Sequence, residues 1–159
     1  MRFSIYASPV GPLLLAADDD DALAVVSFRG EPADDWTPDA SALRFVTDQL
    51  DAWFAGRIRS FDLPLAPRGT EFQQSVWRAL REIPYGETTT YGELARTLGR
   101  PAASRAVGAA NGANSIPIII PCHRVIGSNR SLTGFGGGLP VKRWLLDHEA
   151  KVSGRILPF

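Results

Sequence analysis

Residues 90–110 read Thr-Tyr-Gly-Glu-Leu-Ala-Arg-Thr-Leu-Gly-Arg-Pro-Ala-Ala-Ser-Arg-Ala-Val-Gly-Ala-Ala, and this stretch decides how the second half of the chain folds. Thr90 and Glu93 fit a capping box, in which hydroxyl and carboxylate each satisfy the other residue's unpaired backbone N–H. The box opens a short helix with Tyr91, Leu94 and Leu98 on one side, and Gly99 stands past its end. Pro101 suits the first position of a second helix, predicted to run to about Ala110. Two short helices joined by a tight Gly-containing turn form the pattern of a helix-turn-helix, a pattern that many unrelated helical pairs share. The second helix lacks the Asn, Gln and multiple Arg side chains that read base edges in a major groove, and only Arg105 projects far. With a nucleic-acid partner, that favours shape-based minor-groove contact with one wedge residue. Alanines and glycine equally permit tight internal packing.

Upstream, Thr70-Glu71-Phe72-Gln73 is a further capping box, and Phe72, Val76, Leu80 and Ile83 then line one helix face until Pro84-Tyr85-Gly86. Pro64–Gly69 is the best linker candidate. Before it, Phe3, Ile5 and Leu13–Ala17 read as strand, Asp18–Asp21 as a solvated turn, and Ala22–Phe28 as strand. The Asp run lacks the Gly and the spaced acidic ligand of a calcium loop. Residues 31–40 form a polar loop. Apolar residues at Leu43, Val46, Leu50 and Trp53 predict a helix from Ser41 to Gly56, with a strand over Ile58–Leu65 behind it. Trp36, Trp53 and Phe54 read as core. The chain thus predicts an α+β protein: a supporting sheet-plus-helix domain over 1–66 and a mainly helical domain over 67–159.

Charge separates the same two parts. The 17 basic and 17 acidic residues cancel overall. Residues 1–66 nevertheless hold 5 basic against 11 acidic side chains, net −6, and 67–159 hold 12 against 6, net +6. A locally basic half is a modest electrostatic footprint for a polyanion. No apolar run approaches the length of about 20 residues that a membrane helix needs, and no signal-peptide pattern opens the sequence, so a cytoplasmic protein is expected. Its one cysteine, Cys122, excludes an intrachain disulfide framework and a multi-thiolate zinc site.

That cysteine sits in Asn-Gly-Ala-Asn-Ser-Ile-Pro-Ile-Ile-Ile-Pro-Cys-His-Arg-Val, residues 111–125. Ile118–Ile120 is by composition a short buried strand, and Pro121 makes Cys122 a rigid exit from it. His123 and Arg124, both able to carry positive charge, favour the thiolate. On a regular strand successive side chains point to opposite faces, so a direct Cys122–His123 bond needs a turn or a bridging water. Gly127–Gly138 follows, a loop resembling a wing, with glycines around Phe135 that let backbone N–H groups approach a ligand. It is not a phosphate loop, since no Gly-Lys-Ser/Thr follows. Pro140 starts a last helix, Val141–Ala150, with Val141, Trp144 and Leu145 inward and His148-Glu149 near its end.

Ile-Pro-Cys-His-Arg-Val (120–125), preceded by Tyr91 and Arg-Ala-Val-Gly (105–108) and followed by Gly-Gly-Leu (137–139) and His-Glu (148–149), resembles the O6-alkylguanine-DNA alkyltransferases. The resemblance is close over residues 70–150 and general elsewhere. It implies a winged helix-turn-helix and a reaction in which the Cys122 thiolate takes an alkyl group from guanine O6, possible also at thymine O4, in double-stranded DNA. Because a thioether leaves poorly, the protein turns over once. It further implies His123 as the base acting through a water, Glu149 as its orienting carboxylate, and Asn114 as a hinge. Tyr91 is implied to crowd the target phosphate during base flipping and to donate a proton toward guanine N3. Arg105 is implied as the finger filling the vacated stack, with Ala103, Ser104, Ala106 and Gly108 as further DNA contacts. Pro117, Val125, Phe135, Gly136 and Gly137 are implied as the substrate pocket, the Val125 carbonyl accepting from the guanine amino group and the Gly136 N–H meeting O6. No cofactor and no metal are implied, since the ligands of the zinc found in some members are missing. The protein is expected to be a monomer on DNA, with cooperative binding left open.

Bacterial members usually carry Gly at the position of Arg130 and Tyr at that of Phe135, so the wing turn is expected to differ. Arg130 is a candidate for a phosphate contact or for restricting larger adducts. Two other readings compete: a non-enzymatic sensor that binds alkylated DNA, and a cysteine hydrolase, for which His148 is the one further base candidate.

Overall fold

The computed structural model describes all residues, Met1–Phe159, which divide into two compact units, Met1–Arg68 and Gly69–Phe159. In the first unit, β1 (Arg2–Ser8) and β2 (Gly11–Ala17) form an antiparallel hairpin, β3 (Leu23–Ser27) pairs antiparallel with β2, and β4 (Thr37–Pro38) lies parallel to β1, giving the order β3-β2-β1-β4. The Asp run is a tight turn: Asp18 Oδ1 accepts the N–H groups of Asp20 and Ala22, and the Asp21 carboxylate pairs with Arg2. The predicted helix forms as α1 (Arg44–Phe54), burying Val46, Leu50 and Trp53. Trp53 is core, whereas Trp36 and Phe54 are only half-buried. The loop over 31–40 contributes β4, a pairing its polar sequence did not announce.

Ile58–Leu65 is not a strand. Only Leu65 bridges to Leu23, because the Gln49 amide clamps the Asp62 backbone at both N–H and C=O, 2.8 Å each, where a ladder would stand.

In the second unit, the Thr70 box is complete, Thr70 N donating to Gln73 Oε1 (2.9 Å) and Gln73 N to Thr70 Oγ1 (3.1 Å), and it opens α2 (Glu71–Arg81). After β5 (Thr89–Thr90), α3 (Tyr91–Thr97) starts on a box that is half-formed. Glu93 N donates to Thr90 Oγ1, but the Glu93 carboxylate accepts from Thr89 Oγ1 instead of returning to Thr90. Gly99 takes φ +71° past the helix end, a left-handed conformation that costs glycine nothing. Pro101 does not start the next helix. It sits inside the turn Arg100–Ala103, closed by Ala103 N donating to Arg100 O, and α4 runs from Ser104 to Gly112.

Ile118–Ile120 is likewise a turn rather than a strand. Ile120 N bonds Ile116 O, and Ile118 is left-handed at φ +75°. Prolines 117 and 121 have no N–H for a ladder, and the Asn114 side chain closes the segment by accepting from Ile116 N and donating to Ile120 O. A 3₁₀ turn, Cys122–Arg124, follows, then β6 (Val125–Ile126), parallel to β5, and α5 (Leu139–Ser153). The inward stripe of α5 is Lys142, Leu145, Leu146 and Glu149; Val141 and Trp144 are only partly covered.

Candidate active site around Cys122

The thiol is presented by a sharp corner. Pro121, at φ −81° and ψ 64°, turns the chain so that Cys122 N reaches back to Ile120 O at 2.8 Å, and the 3₁₀ turn carries the chain on. Asn111, from α4, donates to Cys122 O at 3.4 Å. Cys122 is 5% exposed and His123 fully buried. Burial pushes the thiol up to about 11, opposed by a hydrogen bond from the Asn114 side chain and by the positive charge of Lys142.

Beside it lies a buried charged cluster. His123 Nε2 meets Glu149 Oε2 at 2.5 Å. Arg124 Nε reaches Glu149 Oε1 at 2.9 Å and its Nη2 reaches Oε2 at 3.0 Å. Gly86 N donates to Glu149 Oε1 at 2.9 Å. Burial alone raises the Glu149 carboxyl, but the charges and hydrogen bonds of His123 and Arg124 outweigh it and hold the group near 2. For His123, burial is the larger influence and lowers its basicity, with Glu149 pulling the other way. With Nε2 donating to an ionised carboxylate, the neutral ring carries its basic lone pair on Nδ1.

The expectation that His123 and Arg124 stabilise the thiolate needs correcting. Arg124 is turned to Glu149, and the cation that acts on Cys122 is Lys142, buried and pushed down to about 8 by that burial. Its Nζ donates to Val125 O (2.6 Å) and Thr133 O (2.8 Å). Val125 O, expected to accept from substrate, therefore already serves Lys142; a carbonyl has a second lone pair to offer. Lys142 was missed, although its place in the stripe 142-145-146-149 with two leucines signals a buried charge.

A groove of about 590 Å³ lies over α3, α4 and the loop after β6, lined by Tyr91, Ser104, Arg105 and Gly108 among others. The structure thus brings these four expected residues together, with Tyr91 Oη bonded to Thr133 Oγ1 at 3.0 Å. A Cβ on Gly108 would stand 3.7 Å from the Tyr91 ring, an ordinary contact, so α4 passes close beside that ring. Arg105 and Ala106 are exposed, and Ala103 is the N-cap of α4. Pro117, Val125, Phe135, Gly136 and Gly137 do not line this groove: Pro117 and Val125 are buried, and Gly136 is exposed. No group of three or more His, Cys, Asp or Glu side chains is placed to hold a metal, and no helix is long and apolar enough to cross a membrane.

The site is a lone buried thiol followed in sequence by an imidazole paired to a buried carboxylate, carried on a small α+β chain. Residues 71–151 match the family described as the DNA binding domain of 6-O-methylguanine DNA methyltransferase, and residues 1–67 match its ribonuclease-like domain. The chain is 53% identical over 153 residues to the methylated-DNA–protein-cysteine methyltransferase of Methanosarcina acetivorans, covering 94% of this chain and 98% of that protein. It is also 53% identical over 152 residues to that of Mycobacterium tuberculosis, covering 94% and 92%. Among solved structures, Mycobacterium tuberculosis OGT in complex with DNA is similar at a TM-score of 0.90 and 49% identity, covering 96% of this chain and 94% of that one. The chain belongs to the 6-O-methylguanine DNA methyltransferase family.

Proposed function

We propose that this chain repairs double-stranded DNA by moving an alkyl group from guanine O6 onto Cys122 Sγ, once per molecule. Family membership carries the activity, alkyl transfer from DNA to a protein cysteine. The observation that supports Cys122 and His123 as its agents is the buried cluster. A thiol that burial holds protonated cannot react until a base takes its proton. His123, its Nε2 tied to an ionised Glu149, is that base, acting on the thiol through a water. The S–C bond then forms as the C–O6 bond breaks, and Tyr91 supplies a proton toward guanine N3. The resulting thioether is a poor leaving group, so the step is irreversible. Thymine O4 is a second site open to the same chemistry.

For DNA, α3 and α4 act as the helix-turn-helix and Gly127–Gly138 as the wing, in the 67–159 domain, with 1–66 as support. Exposed Arg96, Arg100 and Arg105 supply charge for phosphates. Arg105 fills the stack vacated by the flipped base, Ala103, Ser104, Ala106 and Gly108 face the minor groove, and Pro117, Val125, Phe135, Gly136 and Gly137 receive the base. Asn114 ties the cysteine segment to α4. A free thiol acceptor suits a reducing cytoplasm.

The test is intact mass and peptide mapping after incubation with a duplex carrying one O6-methylguanine. A stoichiometric gain of one methylene on the Cys122 peptide, absent in Cys122→Ala, is expected. Persistent binding without mass gain overturns the transferase in favour of a lesion sensor.

A further inference from the structure

Arg124 takes no part in the reaction above, yet it is locked from every side. Its Nε and Nη2 grip both Glu149 oxygens, its Nη1 donates to Ile83 O at 2.7 Å, and its guanidinium stands over the Tyr85 ring at 5.5 Å. Charged groups act on His123 from the 3₁₀ turn and from α5. The 3₁₀ turn offers Arg124, with Cys122 next to His123 in sequence, α5 offers Glu149 and Lys142, and the Tyr85 ring in the loop after α2 covers Arg124. Lys142 is engaged with two carbonyls and adds positive charge.

Counting charge across the buried triad gives one negative on Glu149 and one positive on Arg124, so the triad is neutral when His123 is neutral. A buried carboxylate with only an imidazole as partner lowers its energy by protonating that imidazole. A protonated His123 could not then accept the proton of Cys122. We propose that Arg124 is a positioning residue that balances the charge of Glu149, and so keeps His123 neutral at rest and able to serve as base. The consequence for rate rests on the alkyl-transfer reading above; the protonation state does not.

The test uses the full chain labelled with ¹⁵N-histidine. Its two histidines, His123 and His148, are told apart with a His148→Gln variant. Long-range ¹H–¹⁵N spectra across pH 5.5–8.5 read charge and tautomer directly. In the wild type, His123 is expected as the neutral Nε2–H form at pH 7. In Arg124→Gln it becomes imidazolium at pH 7, its titration raised by at least about one pH unit, and the rising limb of the pH–rate profile with free O6-benzylguanine moves up with it. Arg124→Lys restores the neutral ring, as does the double variant Arg124→Gln with Glu149→Gln. A neutral His123 at pH 7 in Arg124→Gln overturns the proposal, because a purely structural arginine lowers stability without changing that state. If Arg124→Gln does not fold, Arg124→Lys decides: a neutral ring with the rising limb in place supports charge balance, and an imidazolium at pH 7 overturns it. Absence of transfer by the wild type overturns only the function and leaves this titration to stand or fall separately.

Discussion

The two units bury different things. In Met1–Arg68 every buried side chain is apolar, from Leu13 and Leu15 on β2 to Leu50 and Trp53 on α1. In Gly69–Phe159 the buried set includes Asn111, His123, Arg124, Lys142 and Glu149. The ion pairs and hydrogen bonds of the first unit, Arg2 with Asp21 and Tyr6 with Asp51, stay at its surface. Burying a charge is costly unless it is paired and hydrogen-bonded, and apolar residues of the same volume often do better for stability. The second unit thus keeps in its core a set of polar groups that stability alone does not call for, and two of them act at the one cysteine, Asn111 on its carbonyl and Lys142 on its thiol.

The sharpest way to break this contrast is to remove its central carboxylate. Glu149→Ala strands Arg124 and His123 and is expected to destabilise the second unit by about 3–5 kcal/mol at pH 7. The sign with pH follows from a folded-state value near 2 against the ordinary 4.5. The contribution is complete above about 4.5 and is lost as pH falls toward 2. Urea unfolding of wild type and variant at a series of pH values checks both statements. A gap below about 1 kcal/mol at pH 7, the range of a solvated pair, sinks the claim that the cluster is electrostatically closed.

The matching cut in the first unit is Leu50→Ala. It removes a fully buried side chain between Val46 and Trp53 and is expected to cost about 2–5 kcal/mol through lost burial and a cavity. No titrating group is involved, so this cost should stay level over the pH range in which the Glu149 contribution fades. A Leu50→Ala penalty that also collapses toward pH 2 removes the distinction between the two cores.

Much of this was readable along the chain because its causes are local. Thr70 and Gln73 are three residues apart and cap each other as their types demand. The α1 stripe and the glycine at the end of α3 follow from period and backbone freedom. The failures also have physical causes. Ile118–Ile120 has strand composition, but two prolines and the Asn114 amide hold it in a turn, with Ile118 left-handed. Gln49 reaches Asp62 across thirteen residues, and Arg124 reaches Glu149 across twenty-five, distances over which sequence pattern carries no pairing information. The resemblance supplied His123 and Glu149. It gave no partner to Arg124 and left out Lys142, because both are set by packing of α5 on the cysteine turn.

The smallest expected effect compares one turn from each unit. Asp21 ends the β2–β3 turn at φ +59°, and Arg130 sits at φ +63° in the loop after β6. Aspartate enters left-handed backbone more readily than most residues, and the Asp21 carboxylate is held by Arg2. Arg130 is exposed, and neither an ion pair nor a hydrogen bond of its side chain offsets the backbone cost. Around it, Arg130 N donates to Gly127 O at 2.8 Å and Gly127 N to Ser131 O at 2.9 Å, so the turn is closed by its own backbone. Arg130→Gly is therefore expected to stabilise the turn by up to about 1 kcal/mol, the left-handed penalty less the chain entropy glycine brings. Asp21→Gly gains nothing and loses its ion pair. Amide hydrogen exchange at residues 127–131, set beside residues 18–22 in the second variant, reads both effects where they arise. Slower exchange in Arg130→Gly with unchanged or faster exchange in Asp21→Gly is the expected pair. Equal gains in both would show that backbone conformation alone sets the cost and that the Asp21–Arg2 pair contributes nothing.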